Sequence, residues 1–67
     1  MVDSELLMNH IWNSGFTPQV IAQALDISTQ ELFNKMYVSK FFTKKEISTL
    51  EKLLKLSKVG KELIFRL

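Results

Sequence analysis

TPQVIAQALDISTQELFNKMY, residues 17–37, reads as two short helices joined by a tight turn. Thr17 suits an N-cap because its hydroxyl can accept from a free backbone N–H of the first turn. Pro18 fits the position just inside, where a missing N–H costs nothing. Ile21, Ala22 and Leu25 then fall on one face. The turn is Leu25-Asp26-Ile27, with Ile27 directed back inside. Ser28 opens the second helix, and Glu31 three residues on completes an S-x-x-E capping box. Leu32 and Met36 give that helix a buried stripe, and small Ala22 permits a close crossing of the pair. The unit predicted is a helix–turn–helix. Its second helix presents Thr29, Gln30, Phe33 and Asn34 outward. Short polar and amide side chains in that place can read base edges in a DNA major groove.

The flanks extend the helical pattern. A first helix is predicted over residues 3–14. Leu7 and Ile11, with Leu6 or Met8, form its stripe, Trp12 packs at the edge and Gly15 supplies a left-handed stop. Phe16 is expected in the core. Helices 2 and 3 are predicted over residues 18–25 and 29–37. Residues 38–42 form a loop in which Phe42 is the core anchor and Phe41 is either a satellite of the core or a dimer contact. Thr43 and Glu46 form a second capping box, and Ile47, Leu50, Leu53 and Leu54 stripe the helix that follows. Lys44, Lys45, Lys52 and Lys55 occupy its other positions. Ser57 caps a fifth helix over residues 58–66, in which Gly60 costs about 1 kcal/mol relative to Ala. Val59, Leu63, Ile64, Phe65 and Leu67 exceed what one narrow stripe needs, so this helix is either deeply packed or partly a contact surface. The prediction is an all-α chain, a compact five-helix bundle folded as one domain over residues 1–67.

Composition agrees. Of 67 residues 46% are hydrophobic, with two Gly and one Pro, which leaves little room for loops. There is no Cys and a single His, His10, so neither a disulfide framework nor a thiolate metal site is available, and His10 reads as a partly exposed helix residue. With no glycine-rich phosphate loop and no usefully spaced carboxylate pair, an enzyme is not expected, and no metal or cofactor is called for. The opening MVDSELLMN is neither a signal peptide nor a membrane span, so no membrane partner is expected. The formal net charge of +2 hides an asymmetry. Residues 1–34 hold Asp3, Glu5, Asp26 and Glu31 and no Lys or Arg, summing to −4. Residues 35–67 hold nine Lys or Arg against Glu46, Glu51 and Glu62, summing to +6. The charge that attracts phosphate is therefore all in the second half.

The chain resembles the phage repressor/Cro type of helix–turn–helix proteins, in the small form common in phages of Gram-positive bacteria. The resemblance rests on Gly15-Phe16-Thr17, Ile21-Ala22, Leu25-x-Ile27-Ser28, Leu32, Met36, Phe42-Thr43-x-x-Glu46-Ile47 and Leu54-x-Leu56-Ser57, and spans about residues 4–67. It implies a lambda repressor-like DNA-binding domain in the cytoplasm of a bacterial host, a homodimer that binds a double-stranded operator. Carried over by position, Thr29, Gln30 and Asn34 would face bases, with Phe33 among them and able to meet a thymine methyl. Thr17, Gln19, Gln23 and Ser28 would approach the backbone, and Lys35, Lys40, Lys44 and Lys45 would supply phosphate contacts. Phe41, Ile64, Phe65 and Leu67 are the candidate dimer contacts. The chain differs from the family in carrying Asp26 where Gly is common in the turn, in lacking Arg or Lys early in helix 3 or along helix 2, and in having Tyr37-Val38-Ser39-Lys40 after helix 3 in place of Asn-Gly-Lys. These differences, with the acidic first half and Phe33, also suit a second use of the scaffold: binding a protein through the Phe33 surface, as an inhibitor or antirepressor.

Overall fold

Each helix begins on a side-chain cap. In the computed structural model, which describes residues 2–66, the elements are α1 (Ser4–Ser14), α2 (Pro18–Ala24), α3 (Thr29–Tyr37), α4 (Lys44–Leu53) and α5 (Lys58–Phe65). Asp3 accepts from the Leu6 amide, Thr17 from Val20, Ser28 from Glu31, Thr43 from Glu46 and Ser57 from Gly60. Such caps satisfy donors that the first turn leaves free and contribute about 1 kcal/mol each. At Ser28 and Thr43 the capping box is complete, since Glu31 and Glu46 accept from the cap residue's own amide at 3.3 and 2.9 Å. No strand occurs among the described residues.

The turn between α2 and α3 closes on Ala22. The amides of Leu25 and Ile27 donate to its carbonyl at 3.1 and 3.0 Å, and Asp26 takes the left-handed conformation at φ 61°. Asp tolerates that conformation better than most residues. Ala22 is buried, and no other helix pair is in closer contact than α2 and α3.

One core joins all five helices. Leu7, Ile11, Ile21, Leu32, Met36, Leu50 and Ile64 are fully buried, with Phe42 set edge-on to Phe65 at a centroid distance of 5.9 Å. The start of α1 is tied to α5 and α3, the Asp3 amide donating to the Ile64 carbonyl at 2.7 Å and the Ser4 hydroxyl to the Met36 carbonyl.

Some positions correct the expectation. Phe16 is 37% exposed and Trp12 71% exposed, so neither packs into the core. Both flank Gly15, where the chain turns away from α1, and Leu7 and Ile11 already fill the α1 share of the interior. Ile64 and Phe65 are buried within the protomer and are unavailable as dimer contacts, while Val59 and Leu63 are the exposed apolar residues of α5. Leu67, the remaining dimer candidate on α5, lies outside the described residues.

Lys40, Lys55 and Arg66 also take positive φ, at 52°, 51° and 56°. A side chain there is disfavoured by contact between its Cβ and the backbone. Lys55→Gly is therefore expected to raise stability by about 0.5–1 kcal/mol. Gly15→Ala, at φ 84° with open space around the added Cβ, is expected to lower it by about 1 kcal/mol through the backbone alone. Urea unfolding midpoints should move in these opposite directions.

Candidate nucleic-acid interface

The outward face of α3 is set by its buried one. With Leu32 and Met36 held in the core, Gln30, Phe33, Asn34 and Tyr37 fall at helical spacing on the opposite side, and all four are exposed. Gln30 and Asn34 share an open pocket of about 400 Å³ with Ser28, Glu31, Lys35 and Ser39. Beside it the Phe33 ring stacks on Tyr37, with centroids 6.3 Å apart and planes at 30°. The result is a strip of two amides and two rings along one exposed helix, of a width that a major groove admits.

The charged residues of α3 are committed elsewhere. Glu31 Oε1 accepts from the Ser28 amide at 3.3 Å. Lys35 Nζ lies 3.3 Å from Glu46 Oε1, with the two side chains 23% and 13% exposed. Glu46 is itself held by the Thr43 amide, so the ion pair ties α3 to the cap of α4. Lys35, expected among the phosphate contacts, is thus half-buried and paired with a carboxylate on another helix.

The other expected residues divide. Thr29 is half-buried beside the cap and is the least accessible of the expected base readers. Thr17, Gln19, Gln23 and Ser28 are exposed, although the hydroxyls of Thr17 and Ser28 already accept from helix amides. Lys40, Lys44 and Lys45 are all exposed. Lys40 shares a pocket with Asp3, Glu5, Tyr37 and Arg66. Lys44 borders Glu51 and Lys61, while Lys45 borders the α2–α3 turn at Leu25 and Asp26. Of the three, Lys45 sits nearest to a continuation of the helix–turn–helix. Phe41 is 62% exposed and remains available as a contact between copies.

Two residues of this face lay outside the expectation: Tyr37, which braces Phe33, and Ser39, which closes the pocket beside Asn34. The spacing of Phe33 and Tyr37, four residues apart on a helix, was the available signal for the first. No group of three or more His, Asp or Glu side chains that might hold a metal ion occurs among the described residues, and no helix is long and apolar enough to cross a membrane.

Comparison with protein-family models, curated proteins and solved structures finds no match for this chain.

The link through Glu46 makes a direct prediction. Glu46→Gln keeps an acceptor for the Thr43 amide and loses only the ion pair, so it should cost about 0.5 kcal/mol at low salt and almost nothing in 1 M salt. Glu46→Ala removes both and should cost about 1 kcal/mol or more at either salt. Thermal unfolding at the two salt concentrations separates the cases.

Proposed function

We propose that this chain is a sequence-specific double-stranded DNA-binding regulator of the phage or mobile-element repressor/Cro type. It reads an operator with α3 in the major groove. The observation that carries this reading is the pairing of two free amides, Gln30 and Asn34, in one pocket on the exposed face of a helix packed closely on α2. Side-chain amides at the start of such a helix are suited to base edges. Thr17 and Gln19, exposed at the start of α2, would lie against the backbone. Lys45, exposed beside the α2–α3 turn, would supply a cation there.

The functional unit is a homodimer on an inverted repeat. One copy presents few base-reading groups, and two-fold symmetry would set two α3 helices about 34 Å apart, one turn of DNA. Contact between copies then falls to exposed Phe41, Val59 and Leu63, in place of the buried Ile64 and Phe65.

One observation favours a second reading. The stacked Phe33–Tyr37 pair on a face whose only lysine is neutralised also suits a protein partner, for an inhibitor or antirepressor built on the same scaffold.

Selection from a random duplex library at two salt concentrations tests the first reading against the second. Enrichment of an inverted repeat is expected. Lys45→Ala should weaken binding to all duplexes about equally and reduce the salt slope by about 1. Absence of binding at low salt would overturn the DNA reading and leave the Phe33 surface as a protein contact.

A further inference from the structure

The bonds made by Glu31 and Lys35 carry a consequence for which bases α3 can read, given the DNA-binding reading above. In the major groove, cytosine is recognised by a carboxylate that accepts from its amino group, and guanine by a cation that donates to its two acceptors. α3 holds one residue of each kind on or beside its exposed face, and each is already engaged in a bond of its own. Glu31 is folded back over the Ser28 amide at 3.3 Å, as the N3 partner of the capping box. Lys35 is held 3.3 Å from Glu46 Oε1, which the Thr43 amide fixes at 2.9 Å. Reaching a guanine would require breaking a partly buried ion pair that links two helices.

What remains free is uncharged. Gln30 and Asn34 each carry a donor NH2 and an acceptor oxygen on the same planar group. That combination matches the adjacent N6 amino donor and N7 acceptor of adenine, whereas guanine shows two acceptors and leaves the amide donor alone usable. Phe33, exposed and braced by Tyr37, offers an apolar ring edge where thymine alone among the bases presents a methyl group.

We infer that the half-site read by α3 is A·T-rich. Adenine is taken by the Gln30 and Asn34 amides and a thymine methyl by the Phe33 ring, while Glu31 and Lys35 would each have to leave an existing bond to reach cytosine or guanine.

The test uses the full chain and duplex DNA. The best-bound sequence from a random library is remade with G·C pairs at the core positions of each half-site, and separately with uracil in place of thymine. G·C replacement should weaken binding about tenfold or more per contacted position. Uracil, which lacks only the methyl, should weaken it about fourfold. The uracil effect should vanish in Phe33→Ala, whose side chain lies outside the core. Selection of G·C-rich half-sites, or equal affinity for thymine and uracil duplexes, would overturn the inference while leaving DNA recognition standing. Salt-sensitive binding with no sequence preference would overturn it and reduce the protein to a non-specific binder. No binding at low salt would remove the DNA reading itself.

Discussion

The close crossing of α2 and α3 at Ala22 is the constraint on which the rest depends. Ala22 is buried, and its carbonyl receives the Leu25 and Ile27 amides, so one residue both permits the contact and ends α2. A larger side chain there would force α3 outward, and interiors packed at crystal-like density absorb such changes poorly. The angle fixed at this point sends Leu32 and Met36 inward and so leaves Gln30, Phe33, Asn34 and Tyr37 outside. The proposed reading face is in this sense the complement of the core stripe of α3.

A second link holds that face in register with the rest of the molecule. Lys35, Glu46 and the Thr43 amide run in series from α3 to the start of α4. The Phe41 amide donates to the Lys35 carbonyl at 3.1 Å, so the loop between the helices is fastened at the same place. An isolated ion pair at a protein surface contributes little. Here the carboxylate also belongs to a capping box, so its position is fixed before the lysine arrives, and less side-chain freedom is lost on pairing. The charge that might have contacted a phosphate instead orders the segment leading away from α3.

Most of the fold was legible in the sequence because it is written in short-range bonds. Asp3, Thr17, Ser28, Thr43 and Ser57 each bond an amide three residues on, and the two capping boxes need nothing from elsewhere in the chain. The core stripes of α1, α3 and α4 followed from periodicity for the same reason. The misreadings lie where the outcome depends on residues distant in the chain. Trp12 and Phe16 are hydrophobic at plausible spacing, yet the interior next to α1 is already filled. Ile64 and Phe65 looked surplus to a narrow stripe until the packing of α5 against α1 and Phe42 was known. Lys35 carries no local sign that Glu46, on another helix, will capture it. The exposed amides of α3 were legible from the helix alone, whereas the acidic neighbours of Lys40 and Lys45, Asp3 and Glu5 for one and Asp26 for the other, come from distant parts of the chain and were not.

The charge pattern separates two roles that many DNA-binding proteins combine in the same arginines. All nine cations follow residue 34, and the exposed strip of α3 is neutral. In the proposed complex, attraction to the phosphate backbone then comes from α4 and the segments around it, and it is the part that salt weakens. Discrimination comes from amides and an aromatic edge whose contacts depend on geometry far more than on ionic strength. Three of the four non-glycine residues at positive φ are cations, Lys40, Lys55 and Arg66, at positions where glycine or asparagine would be less strained. Packing does not explain these residues, since all three are exposed. In the proposed complex, positive charge at those positions would add to the long-range field that brings the neutral reading face to its target.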